Sequence, residues 1–142
     1  DFLLKEKKFE EDIWKERGFL VKKCKEDGNC LFRAISDQLY GDQEMHDDVR
    51  ERCLNYIAQE RDHFGQFITE EFEQYVTRKR RDKVHGNNLE MQAIAEMYNR
   101  PIEVFSYSTD PMAVLQEDSN APPLRLSYHR NNHYNSIVNP KE

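Results

Sequence analysis

The stretch Asp27-Gly28-Asn29-Cys30-Leu31-Phe32-Arg33-Ala34-Ile35-Ser36-Asp37-Gln38-Leu39 reads as a turn that runs straight into a helix. Leu31, Ala34, Ile35, Gln38 and Leu39 recur at three- and four-residue intervals, the spacing of one helical face. Gly28 supplies the turn, Gly41 the stop, and Cys30 falls at or just inside the first helical turn. Backbone N–H groups there have no partner within the helix. They favour a thiolate and can face an oxyanion that develops on a bound carbonyl. A structural cysteine fits the same place, so this block alone leaves both readings open.

Far along the chain, Asn132-His133-Tyr134-Asn135-Ser136 places a histidine at the edge of an expected strand. Cysteine is a strong nucleophile, and histidine can take its proton and return it to a leaving amine, so Cys30 and His133 form a candidate pair once the chain folds. Asn135 can accept an imidazole N–H through its amide oxygen. Asp27 can approach the same histidine, or organise the Gly28–Asn29–Cys30 loop by accepting its backbone N–H groups. Asn135 is the preferred third member and Asp27 the preferred loop organiser, with Asp27 retained as the alternative orienting residue.

Helical periodicity also predicts an amphipathic helix over 2–16, built on Phe2, Phe9, Ile13 and Trp14, and a second over 46–59 with Val49, Cys53, Tyr56 and Ile57 inside. Phe64 to Val76 describe one or two further helices, the second capped by Thr69, and Asn87 or Asn88 caps a largely buried helix that ends before Pro101. After Pro101 the period becomes two, giving strands at 102–107, 124–128 and 134–138, with a brief strand or turn at 112–115. The expected architecture is compact α/β, with helices packed around a small and mainly C-terminal sheet. Residues 1–17 are expected to be an accessory helix and 18–140 the main domain.

The 142 residues suffice for one core, and 21 basic against 27 acidic side chains give a net charge of −6, which argues against a broad nucleic-acid-binding field. Arg78-Lys79-Arg80-Arg81 is the one concentrated basic run, and it lacks a stacking platform or zinc motif beside it. The acidic Glu70, Glu71 and Glu73 form an ordinary solvated face or a docking surface for a basic partner. Cys24, Cys30 and Cys53 cannot all pair and show no zinc-like spacing. His129 and His133 can share a face but lack further ligands, so no metal is expected. No apolar run is long enough to cross a bilayer and no signal-peptide core opens the chain, so the expected setting is intracellular, cytoplasmic and nuclear, without membrane contact.

With these blocks, the sequence resembles the ovarian-tumour-domain (OTU) family of cysteine deubiquitinases, and within it the subgroup of OTU-domain-containing protein 5. The resemblance runs from about Gly18 to Pro140, with 27–34 and 129–138 its most specific parts and 85–93 and 97–101 supporting the subgroup. It implies an OTU-type papain-like fold, Cys30 as nucleophile, His133 as general base and Asp27 as an active-site residue. It further implies hydrolysis, through a thioester, of isopeptide bonds at the C-terminal glycine of ubiquitin. Ubiquitin, polyubiquitin chains and ubiquitinated proteins are then the partners, and no cofactor is required. Backbone N–H groups of Gly28, Asn29 and Cys30 would form the oxyanion site, and Asn132 and Tyr134 would shape a narrow channel for the glycine pair. A catalytically weak or silent ubiquitin-binding domain is the alternative.

Overall fold

Asp1 accepts the Leu3 N–H at 3.0 Å and Gly18, at φ 70°, closes the other end, so the first sixteen-residue helix, α1 (Phe2–Arg17), is capped at both termini. The computed structural model describes residues 1–130 and 132–142. After α1 come β1 (Leu20–Lys22), α2 (Cys30–Tyr40), α3 (His46–Gln59), the short α4 (Arg61–Phe64), α5 (Phe72–Lys79) and α6 (Asn88–Tyr98). Then follow β2 (Ile102–Phe105), β3 (Ala113–Leu115), β4 (Leu124–His129) and β5 (His133–Val138). Two 3₁₀ turns, Gln43–Met45 and Gly65–Phe67, lie in the connections.

The strands form one sheet in the order β1-β5-β4-β2-β3. β4 and β2 run parallel and the other neighbours antiparallel. Alternation along the strands divides the apolar residues between two faces. Val104, Leu126 and Tyr134 join Leu31, Ile35, Val49, Leu54, Met91 and Ile94 in the main core, so α2, α3 and α6 cover one face. Phe105 and Ile137 point the other way and meet Phe9, Ile13 and Phe19. The sheet is therefore the middle layer, with α1 on one side and the remaining core helices on the other.

Several sequence expectations shift by a turn or a face. In α1 only Phe9 and Ile13 are buried, whereas Trp14 is 53% exposed, because it lies about 100° further round the helix than Ile13. Glu71, not Thr69, caps α5: its backbone is extended and its carboxylate accepts the Gln74 N–H at 2.9 Å, while Glu70 pairs with Arg78. Asn87 is the residue that caps α6, in a capping box with Glu90. The strand expected over 102–107 ends at Phe105, and Tyr107 turns off into positive φ. The turn expected at Arg130-Asn131-Asn132 includes Asn131, which lies outside the described residues.

The basic run does not present one cationic face. Lys79 points inward, 3.2 Å from Glu90 and donating to the His85 carbonyl at 2.7 Å, while Arg80 donates to Asn55. Both charges of the Lys79–Glu90 pair are buried, and Tyr75 donates a further hydrogen bond to Glu90. Burial costs such a pair its hydration, which these extra hydrogen bonds partly replace.

Candidate active site

Cys30 is the first residue of α2, as the periodicity predicts. Its sulfur donates to the Asn132 carbonyl at 3.5 Å, and the backbone N–H groups of Tyr134 and Leu31 lie close enough to stabilise a thiolate. The sulfur thus rests against the chain on both sides of His133, the first residue of β5. Burial pushes the thiol up, the Tyr134 and Leu31 amides pull it down, and burial prevails, so the resting group stays a thiol above its ordinary pKa. Burial drives the Cys24 thiol up to about 12, and Cys53 is wholly enclosed in the core.

The loop before Cys30 is held from three directions. Asp27 accepts the Asn29 N–H at 3.0 Å and the Arg33 guanidinium through Nε and Nη2 at 3.1–3.3 Å. Burial raises the Asp27 carboxyl, but these hydrogen bonds and the Arg33 charge outweigh it and leave the group below the usual carboxylate range. Asn29, 2% exposed, donates to Asp82 at 2.9 Å and accepts from Arg50 at 2.6 Å and from the Lys83 N–H at 2.9 Å. At Gly28 a Cβ would lie 1.5 Å from the Lys83 carbonyl oxygen, so the close approach of two backbones excludes any side chain. The glycine is required by this packing, since Gly28 is not among the positive-φ residues of the chain.

These contacts alter the expected oxyanion site. The Asn29 N–H is committed to Asp27, so Asn29 acts as the clamp between the loop, α3 and the 82–83 turn. The Cys30 N–H makes a long hydrogen bond to the Asp27 carbonyl, at 3.3 Å, and lies against its own sulfur as well, so it stays beside the reacting atom. Arg33, Arg50 and Lys83 escaped the sequence reading because nothing in their spacing relative to Asp27 and Asn29 announces a contact made only in three dimensions.

Of the two candidates to orient His133, the structure brings Asn135. His133 Nε2 and Asn135 Oδ1 are 2.9 Å apart, and the same oxygen accepts the Cys24 N–H at 2.8 Å. An N–H can only donate, so the Cys24 amide identifies the oxygen of the Asn135 side chain. Nε2 of His133 must then carry its hydrogen, and Nδ1 is left free. Asp27, engaged with Arg33, organises the loop.

Asn132 and Tyr134 line a cleft of about 360 Å³ with Tyr128, Met91 and Met112. Asn132 adopts φ 58°, a conformation asparagine tolerates, and accepts from the Tyr128 hydroxyl at 2.6 Å. Tyr134 is 5% exposed and packs on Tyr128 with ring centroids 5.0 Å apart, so it is a wall of the main core as well as of the cleft. Among the described residues, no group of three or more His, Cys, Asp or Glu side chains is arranged to hold a metal ion.

The profile described as OTU-like cysteine protease matches residues 25–135, which include the loop, Cys30, His133 and Asn135. The chain belongs to the OTU-like cysteine protease family. It is 57% identical over 140 residues to the OVARIAN TUMOR DOMAIN-containing deubiquitinating enzyme 6 of Arabidopsis thaliana, covering 97% of this chain and 28% of that protein. To OTU domain-containing protein 5 of Homo sapiens it is 50% identical over 141 residues, covering 94% of this chain and 25% of that one. The chain thus spans about a quarter of the length of these relatives. The solved OTU domain of OTUD1 superposes with a TM-score of 0.87 at 28% identity, covering 96% of both chains. An OTU domain solved in complex with ubiquitin shares the fold at a TM-score of 0.63 and 18% identity, over 84% of this chain and 69% of that one.

Proposed function

We propose that this OTU domain is a deubiquitinase that cleaves isopeptide bonds at the C-terminal glycine of ubiquitin. The observation that carries the proposal is the conjunction of Cys30 Sγ, lodged against the backbone on both sides of His133, with the Nε2–Asn135 contact that leaves His133 Nδ1 free. Its relatives include a protein named as a deubiquitinating enzyme, and an OTU domain of the same fold has been solved with ubiquitin. Ubiquitin, its chains and ubiquitinated proteins are the partners that follow.

On this reading the thiol proton passes to His133 Nδ1 as Cys30 Sγ attacks the glycine carbonyl. The carbonyl electron pair moves to oxygen, which the N–H groups of Gly28 and Cys30 receive. Collapse of the tetrahedral species breaks the C–N bond, and His133 returns the proton to the departing lysine amine. Water, deprotonated by His133, then attacks the thioester; collapse breaks the C–S bond and releases the carboxylic acid, His133 returns its proton to sulfur, and the acid ionises to solvent. The cleft past Asn132 and Tyr134 is the proposed entry for the glycine pair, and residues 18–140 are the proposed catalytic unit with 1–17 as an accessory helix. Three free cysteines suit a reducing intracellular compartment, cytoplasmic or nuclear.

Incubation with isopeptide-linked di-ubiquitin is the test. Release of mono-ubiquitin by the wild type and its loss in Cys30→Ala and His133→Ala are expected. Binding of ubiquitin without turnover by any linkage would favour a silent ubiquitin-binding domain instead.

A further inference from the structure

On the face of the sheet that α1 covers, four polar side chains form a square. In the β4–β5 register Ser127 stands opposite Asn135 and His129 opposite His133, and residues two apart on a strand share a face. All four are nine-tenths or more buried. The oxygen of Asn135 is occupied by the Cys24 N–H and His133 Nε2, and its Nδ2 points at His129 Nε2, 3.2 Å away. An amide N–H can only donate, so His129 Nε2 carries no hydrogen and accepts. The Ser127 hydroxyl, 2.9 Å from the same nitrogen, donates as well. The His129 hydrogen is therefore on Nδ1, a buried nitrogen with no hydrogen-bond partner, 3.5 Å from the Glu6 carboxylate of α1.

We propose that His129, backed by Ser127, is a positioning residue that holds the Asn135 amide in one orientation and so keeps the hydrogen of His133 on Nε2 and its Nδ1 free for Cys30. The inference rests on the deubiquitinase reading for its consequence, but its geometry stands on the two strands alone. If the amide turned over, its NH2 would face His133 Nε2 and the Cys24 N–H, and His133 would have to move its hydrogen to Nδ1, where the base is needed. Removing the His129 acceptor leaves a buried N–H unpaired and weakens the preference for the working orientation. Burial, then the neighbouring His133 and Lys23, lower His129 to about 4 against the opposing pull of Glu10 and Glu26, so the ring remains a neutral acceptor at neutral pH.

Two measurements on the 142-residue chain test this. Nitrogen-15 NMR of the imidazoles at neutral pH should show wild-type His129 with its hydrogen on Nδ1 and His133 with its hydrogen on Nε2; either ring in the opposite tautomer overturns the proposal without any variant or substrate. Hydrolysis of ubiquitin bearing a C-terminal fluorogenic amide should then lose about tenfold or more in kcat in His129→Leu with KM little changed, and recover in part in His129→Gln, whose amide oxygen can accept from Asn135. A folded His129→Leu with wild-type kcat and an unshifted His133 tautomer overturns it. Absence of turnover by the wild type would count against the deubiquitinase reading, while the tautomer spectrum still decides this one.

Discussion

Cys30 combines two opposing influences, burial that favours the thiol and backbone amides that favour the thiolate, and the first prevails in the resting protein. Its hydrogen bond to the Asn132 carbonyl requires the protonated form and agrees with that balance. The Cys30 sulfur is thus not stored as a thiolate. On the proposed function its proton would leave when substrate arrives, to His133, whose Nδ1 the Asn135 contact leaves free. A resting thiol reacts slowly with a small alkylating agent at neutral pH and faster as pH rises. Iodoacetamide labelling of Cys30, followed by mass, should therefore keep rising into the alkaline range above pH 9. A rate already at its plateau near neutrality would mean a preformed thiolate–imidazolium pair.

The elements show which parts of the structure were legible beforehand. The starts and ends of α2 and α3 followed from apolar spacing and Gly41, and the cap of α6 was narrowed to Asn87 or Asn88, because each is decided by residues close in sequence. The start of α5 was not legible: Thr69 is a cap by residue type, but the helix begins at Phe72, so the role falls to Glu71 while Glu70 pairs with Arg78. Cys30, His133 and Asn135 were legible as chemistry, with the choice between Asn135 and Asp27 left open. That choice, like the part played by His129, depends on strand register and on Arg33, which spacing does not reveal. Similarly, α1 was legible as an amphipathic helix but not as the cover of a whole sheet face. Ile13, fully buried between α1 and the sheet, makes that cover testable. Ile13→Ala should cost about 2–5 kcal/mol in urea unfolding, as for other buried large-to-small changes. A loss below about 1 kcal/mol, the size expected of an ordinary surface change, would mean that α1 is not docked as described.

For the molecule as a whole, the polar square under α1 sets the response to acid. His129 has its folded pKa lowered to about 4 from 6.5, so the unfolded chain binds the proton first. The stability it contributes is present above pH 6.5 and is lost as pH falls toward 4, a change of about 3 kcal/mol for the whole shift. Asp27 acts in a lower window: its carboxyl is held below the unfolded value, so its contribution is lost only as pH falls through about 4 and below. Urea unfolding between pH 7.5 and 4.5 should accordingly show stability falling with acid in the wild type, with a shallower slope in His129→Gln. Equal slopes for the two proteins would mean that His129 is not held neutral by the fold.

Intact-mass analysis after exposure to ubiquitin carrying a C-terminal thiol-reactive group shows whether Cys30 is a nucleophile assembled with His133 beside a channel for the ubiquitin tail. One ubiquitin should add to the wild type, none to Cys30→Ala, and one much more slowly to His133→Ala. Addition that persists in Cys30→Ala, or no addition to a folded wild-type protein, would mean that Cys30 is not that nucleophile.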